Sequence, residues 1–380
     1  MSLAGEPVNA GPAAPGSIAG VVFSFPEPDS TGQPQMPTGR TQILSLIALL
    51  LSTWLLSQEA YKPQVIADVD AGTDDLMALA YLLSSGEVDL KAVTVVHGLA
   101  HVEQGAKNVI ALLELAGRGD VPVYIGEARP LSGSAAFPDV WRKLSDELPG
   151  LHLPRSTRSP ERRSAVSYLA EQMRATPGGR KLRILATGPL TNLARALDAV
   201  GAAPRAVESI VIMGGAISVP GNLGDGDVFK TDNKTAEWNF FVDPLAARRV
   251  FAAGVPIELV PLDATNSVPI DVGFVQNLRQ RSTNSLGRFI SQLLESEIDL
   301  IKQHSYYAWD PLAAVVINHP DVARFEEFAV EVQLQAPFEG RARRLPGGNG
   351  VVRVAVSANA AAFMQIFTRA FMPDPPAVSR

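Results

Sequence analysis

From Val65 onward, short apolar runs alternate with stretches whose apolar residues recur three and four positions apart. The first spacing is that of buried strands, the second that of helices lying on them. Val65–Val69 predicts a strand that ends in acids, and Asp75–Ser84 sets Leu76, Leu79, Ala80 and Leu83 on one helical face. Ala92–Val96 and Val121–Ile125 read as strands on either side of a helix at Val102–Leu115. Leu182–Ala186 followed by Pro189–Leu197 is a further strand–helix unit, and Ser209–Met213 and Ile257–Leu262 are strands. Near the end, Ala329–Leu334 and Val351–Val356 flank Arg341–Gly350 as a hairpin, and a last helix covers Ala360–Phe371. This alternation predicts an α/β fold: a mostly parallel open sheet with helices on both faces. Ligands of such sheets bind at the carboxyl ends of the strands.

Ahead of this pattern the chain changes character. Residues 1–40 hold 6 Gly and 7 Pro and show no period, which reads as a disordered leader. Arg40 then precedes an uncharged stretch, Thr41–Gln58, whose centre Ile43–Leu56 is almost all aliphatic. A basic residue before a short apolar run is the pattern of a signal segment or anchor. The expected organisation is a leader with signal or anchor over residues 1–60 and one domain over 61–380. The protein is then exported to a periplasm or held at a membrane through residues 43–56. A buried core helix at that run would make it cytoplasmic instead.

Composition narrows the chemistry. Hydrophobic residues are 46% and charged residues 19%, enough to build a core. The net charge of −6 argues against a nucleic-acid partner. With no Cys, thiolate metal sites, disulfides and a cysteine nucleophile are excluded. With five His, any metal is expected on oxygens, hence Ca²⁺ or Mg²⁺.

The densest signal is Asp68-Val69-Asp70-Ala71-Gly72-Thr73-Asp74-Asp75, four carboxylates between a strand and a helix. One or two acids suit a helix start, but four repel one another unless a cation offsets them. Thr187-Gly188-Pro189, Met213-Gly214-Gly215, Glu237-Trp238-Asn239, Asp243-Pro244 and Trp309-Asp310-Pro311 also punctuate strand or helix ends. No dinucleotide-binding G-x-G-x-x-G, phosphate-binding G-x-x-x-x-G-K-[ST] or nucleophile-elbow G-x-S-x-G is present. A dehalogenase-type phosphatase also uses two acids after a strand, but Gly72 stands where that chemistry wants Thr or Val.

Taken in order, these blocks resemble the inosine–uridine-preferring nucleoside hydrolase family. The likeness rests on DVDAGTDDLMALA from Asp68, VTVVHG from Val93, VPVYIGEARPL from Val121 and ATGPLTNLARAL from Ala186. It continues through IVIMGGAISVPGN from Ile210, AEWNFFVDPLAARRVF from Ala236, VPLDAT from Val260 and WDPLAA from Trp309. The resemblance implies one α/β domain with Ca²⁺ at the base of a pocket, cleaving ribonucleosides to ribose and free base. By motif position, Asp70, Asp75, the Thr187 carbonyl and Asp310 would hold the ion, and Asp70 would also activate water. Asp74 would bind ribose hydroxyls, Glu237 and Asn239 the far side of the sugar with its 5′-hydroxyl, and Met213 would line the pocket. Asn222 matches the ribose-contacting Asn, with Asn233 as its rival across an insertion at Leu223–Lys234. The family also implies a homo-oligomer, dimer or tetramer.

Glycoside cleavage passes through an oxocarbenium-like state, which carboxylates around the sugar stabilise. Three positions depart from the family pattern. Trp309 replaces a His that serves as leaving-group acid, which tilts the expectation slightly toward purine nucleosides through stacking. Leu99 replaces an Asn that contacts the sugar. Ala71 replaces a Pro, expected to be a mild backbone change. His97, His101 and His304 are the other candidate acids, each read more readily as a surface or packing residue. The alternative function is a non-catalytic, Ca²⁺-dependent nucleoside- or sugar-binding protein.

Overall fold

Every residue of Val65–Val69 is buried, because both faces of this strand meet helices. Val65, Ala67 and Val69 point into one core, with helices Thr73–Ser85, Val102–Leu115 and Trp309–Val316. Ile66 points into the other, with helices Ala165–Arg174, Thr191–Val200 and Pro244–Ala252. That two-sided burial is why the strands read as continuous apolar runs. The computed structural model describes residues 62–175, 181–201, 204–224, 228–348 and 350–372. The leader and its apolar run Ile43–Leu56 lie outside them. Among the described residues no helix is long and apolar enough to cross a membrane.

The strands are β1 (Gln64–Val69), β2 (Asp89–Val95), β3 (Val123–Ile125), β4 (Leu182–Ala186), β5 (Val207–Met213), β6 (Ile257–Val260), β7 (Ala323–Val332), β8 (Ala342–Arg344) and β9 (Val351–Ala358). They form one nine-stranded sheet in the order β3-β2-β1-β4-β5-β6-β9-β7-β8. Neighbours from β3 through to β9 pair in parallel, while β7 runs antiparallel to both β9 and β8. The mostly parallel α/β architecture is therefore as the pattern of apolar residues predicts.

Chain order reverses between β1 and β4. From β1 the chain steps outward to β2 and β3, then returns to the other side of β1. The loops leaving β1 and β4 diverge there and open a crevice at the strand ends. Asp70–Gly72 and Thr187–Leu190 are those two loops.

Two expectations need correction. The strand predicted as Ile257–Leu262 stops at Val260, because Pro261 cannot donate to the ladder and Leu262–Thr265 turns into a short helix. The predicted hairpin is three-stranded: β7 begins at Ala323, and the polar connection contains β8 before β9.

Candidate active site

The loop after β1 turns through Ala71, whose φ is 61. This left-handed backbone lets the chain double back so that Asp70, Asp74 and Asp75 face one volume. A proline, locked near −65°, cannot adopt it, so the Ala for Pro exchange is not the mild change expected. Asp75 starts the helix as a cap: its Oδ2 accepts from Gly72 N at 2.8 Å and its Oδ1 from Asp70 N at 3.3 Å.

Asp70 is walled in by two glycines. A Cβ at Gly98 would lie 1.9 Å from Asp70 Oδ2, and one at Gly188 would lie 2.8 Å from Asp70 Cβ. Only glycine permits those approaches. Asp70 Oδ2 also accepts from Leu99 N at 3.1 Å. Leu99 thus contributes its backbone, while its side chain presses on Gly72 and packs toward the aromatic residues Phe137, Trp141 and Trp238.

Asp74, Asp75 and Asp310 offer oxygens that all lie within 4.8 Å of one another. Asp310 arrives from the second residue of helix Trp309–Val316 and is 2% exposed. Asp70 stands beside this trio, hydrogen-bonded to Asp75. Thr187 lies against it through its hydroxyl, which donates to Asp75 Oδ1 at 2.5 Å. Asp68, the first acid of the cluster, stays apart. Its Oδ1 accepts from Thr94 Oγ1 at 2.6 Å and Asn192 Nδ2 at 2.8 Å, so its role is to tie β1 to β2 and to the helix Thr191–Val200.

Burial pushes the Asp70 and Asp74 carboxyls up to about 7, with repulsion from Asp74 and Asp75 respectively adding to it. Burial likewise drives Asp75 and Asp310 well above the usual carboxylate range, and each feels the other acids of the cluster. Among the described residues no protein donor reaches the Asp310 carboxylate, although it is buried. A set of buried, crowded, all-oxygen donors with one carboxylate left without a partner fits a hard divalent cation.

The other wall is built from Glu237 and Asn239. Glu237 caps the helix Trp238–Val242: its Oε1 accepts from Asn239 N at 2.8 Å, and its Oε2 from Gly215 N at 2.8 Å and Phe240 N at 3.3 Å. Burial raises its carboxyl to about 7 against those three bonds. Asn239 Nδ2 donates to the Thr187 carbonyl at 2.8 Å and to the Met213 carbonyl at 3.3 Å. Thr187 therefore joins the two walls, its hydroxyl to Asp75 and its carbonyl to Asn239. Met213 sits at the end of β5 with its sulfur 3.7 Å from Asn239 Nδ2.

Asn222 and Asn233 separate clearly. Asn222 is half-buried and accepts from Trp238 N at 3.2 Å, next to Glu237. Asn233 is buried and fully occupied: its Oδ1 takes Thr235 N, Thr235 Oγ1 and Ala236 N, and its Nδ2 donates to Glu339 O at 2.8 Å. Trp309 is half-buried, edge-on to Tyr306 at 5.1 Å and tilted to Tyr307 at 5.9 Å. Tyr306 in turn lies 3.4 Å from Thr73, beside the acidic loop, a contact the spacing of residues did not announce.

The three candidate histidines are one buried packing residue and two surface residues. His97 Nε2 donates at 2.8 Å to Thr191 Oγ1, which itself donates to Asp243 Oδ2 at 2.6 Å. Burial, then the Arg142 charge, lowers the His97 imidazole to about 4, so it is neutral. His101 is exposed and paired with Asp146 at 2.6 Å, and His304 is exposed.

Comparison with known proteins decides what this geometry belongs to. The inosine-uridine preferring nucleoside hydrolase profile matches residues 65–365. This chain belongs to that family. A pyrimidine-specific ribonucleoside hydrolase, RihA of Citrobacter koseri, is 33% identical over 282 residues, covering 72% of this chain and 85% of that protein. Among solved structures, the plant nucleoside hydrolase PpNRh1 aligns with a TM-score of 0.73 at 28% identity, covering 82% of this chain and 100% of that one. A purine-preferring ribonucleoside hydrolase from Gardnerella vaginalis aligns with a TM-score of 0.70 at 26% identity, covering 81% of this chain and 98% of that one. As a nucleoside hydrolase, the chain is an enzyme that hydrolyses N-glycosidic bonds of nucleosides.

Proposed function

We propose that this nucleoside hydrolase acts on free ribonucleosides with Ca²⁺ held by Asp70, Asp75, Asp310 and the Thr187 carbonyl, and modestly favours purine bases. The observation that carries the reading is the convergence of Asp74, Asp75 and Asp310 within 4.8 Å, with Asp70 bonded to Asp75 beside them and Thr187 joining the cluster to Asn239, next to Glu237. A hard divalent cation bound there would supply Lewis acidity to oxygen ligands and offset the repulsion among the carboxylates.

The chain's own groups then divide the work. Asp70, held between two glycines and by Leu99 N, accepts a proton from the attacking water. Asp74 holds ribose hydroxyls. Asn222, Glu237 and Asn239 hold the sugar's far side, and Met213 lines it. The surrounding carboxylates stabilise the positive charge that grows on the sugar as the base leaves. Trp309 stacks on the departing base in place of a histidine acid, and the base takes its proton from solvent water as it leaves. The relatives fall on both sides of base choice, and a half-buried indole backed by two tyrosines supports the purine side.

The test is release of free base from inosine, adenosine, uridine and cytidine, before and after chelation, with Ca²⁺ or Mg²⁺ added back. Loss on chelation and recovery with Ca²⁺ are expected. No release from any of the four nucleosides would overturn the function, and undiminished turnover after chelation would overturn the metal. Stacking is worth ~1–3 kcal/mol per base, so Trp309→Ala should cost roughly 5- to 150-fold in kcat/KM, more for purines than for pyrimidines. An equal loss on both would make Trp309 a packing residue. The same reading includes export or anchoring through Ile43–Leu56, checked by cell fractionation, and a homo-oligomer, checked by sedimentation.

A further inference from the structure

The segment Ala236–Phe241, which carries Glu237 and Asn239, has no strand of its own beside it. It is gripped from two sides by residues distant in sequence. On one side Gly221 donates to the Lys234 carbonyl at 2.9 Å, and a Cβ there would lie 2.0 Å from the Ala236 carbonyl oxygen. On the other side stands the connection between β7 and β8. Ala236 forms an antiparallel bridge with Arg341. Gly340, at φ 78, comes so close that a Cβ would lie 2.6 Å from Phe241 N and Cα. The turn is closed on itself, with Gly340 N donating to the Gln333 carbonyl at 2.9 Å and Gln333 N to the Arg341 carbonyl at 2.9 Å.

One side chain ties the two parts together. Asn233 uses its Oδ1 to fold residues 233–236 into the turn that presents Glu237, and its Nδ2 to hold Glu339 O at 2.8 Å. Next along, Ala342 is fully buried and lies 3.3 Å from where a Cβ on Gly215 would be, and Gly215 N is one of the donors to Glu237. The hairpin thus reaches Glu237 by two routes, through Asn233 to its own segment and through Ala342 to its partner.

We infer that the β7–β8 turn is a latch that positions Glu237 and Asn239, with Asn233 and Gly340 as its positioning residues. The functional half of this inference rests on the reading that those two side chains hold the sugar. Asn233 touches no substrate; it acts through the segment it fastens.

Asn233→Asp is the selective test. It keeps the Oδ1 acceptor that shapes the turn and replaces only the donor to Glu339 with a second acceptor. Gly340→Ala is the second variant, since its methyl has no room against Phe241 and must push the turn away. Amide exchange at Gly215, Asn239 and Phe240, the donors to Glu237, should rise at least ~10-fold in both variants, while exchange in β1 and β4 holds. The KM for inosine should rise roughly 5- to 50-fold with kcat within about threefold, because ground-state sugar contacts loosen while Asp70 stays in place. Unchanged exchange at those three amides overturns the latch. So does a rise spread equally over β1 and β4, which marks general loss of stability. Faster exchange with an unaltered KM overturns its role in sugar binding. If the wild-type enzyme releases no base from any nucleoside, the sugar-binding reading falls, and the exchange measurement still decides the latch.

Discussion

The two walls of the site are built in opposite ways. The acidic wall comes mainly from six consecutive residues, Asp70–Asp75, turned by Ala71 and supplemented by Thr187 and Asp310. The sugar wall has Glu237 and Asn239 on one short helix, whose own amides at Asn239 and Phe240 cap Glu237, and the rest of what holds them comes from elsewhere: Gly215 after β5, Asn233 in the preceding loop and Gly340 in the late hairpin. A wall wound mainly on one loop tolerates little change inside that loop or at the few distant residues, Gly98, Gly188, Thr187 and Asp310, that close on it. A wall held by three separate elements responds to mutations far along the chain. The acidic wall is also electrostatically costly on its own, whereas each oxygen of Glu237 already accepts backbone N–H groups.

The largest expected effect lies at the acidic wall. Asp70→Asn keeps the shape and the bond from Leu99 N but removes proton acceptance. Such assistance is worth ~10²–10⁴-fold, so kcat should fall by at least that lower bound. A variant that keeps more than about a tenth of wild-type kcat would move the base elsewhere.

Ala71→Pro comes next and tests the turn itself. With φ at residue 71 at 61, proline cannot enter without rebuilding the loop, and the melting temperature should fall by an amount matching a loss of more than ~1 kcal/mol. An equally stable and active proline variant would show that the acidic wall can be wound another way.

At the sugar wall, Glu237→Gln turns one oxygen into an NH₂ that must face Gly215 N, Phe240 N or Asn239 N, all of them donors. Leaving a buried donor unmatched costs ~1–3 kcal/mol, so nucleoside kcat/KM should fall roughly 5- to 150-fold. An effect as large as that of Asp70→Asn would erase the difference between the walls.

The smallest effect concerns His97, which links β2's end to Thr191 and Asp243 behind both walls. Its imidazole stays neutral down to about 4 in the folded protein but titrates at 6.5 when unfolded. The unfolded chain therefore takes up a proton first as pH falls, and the folded state loses stability between 6.5 and 4. Over the step from pH 6.5 to 5 the loss is roughly 1.5 kcal/mol, since the slope reaches 1.36 kcal/mol per unit only once the unfolded imidazole is mostly protonated. A His97→Gln variant should show a correspondingly shallower decline in melting temperature over that range. An unchanged slope would place the sensitivity in other groups.

This contrast also explains what could be read from residues alone. Four acids in eight positions at a strand end announce themselves, because local crowding of charge is visible in one dimension. Asp310 was legible through its block, and the order of strands and helices through apolar spacing. The resemblance singled out Glu237 and Asn239, but nothing in their neighbourhood shows that Gly340 braces them a hundred residues later. Asn222 and Asn233 were rivals because both lie near an insertion. Only the hydrogen bonds separate them, one beside Glu237 and one spent on the turn. The left-handed backbone at Ala71 was invisible because alanine carries no preference for it. Tyr306 gives no signal in the sequence, since its reach to Thr73 depends on how the connection ahead of helix Trp309–Val316 packs on the acidic loop.

The sheet's two ends have a consequence for solubility. β3 and β8 are the outer strands and each spans three residues, so little unpaired backbone is offered to a neighbouring chain. At one end Tyr124 is already bridged to Glu161, and at the other Arg343 and Arg344 stand exposed. Short, charged or covered margins resist strand-to-strand growth. Concentrated solutions of this enzyme should therefore stay free of fibrils.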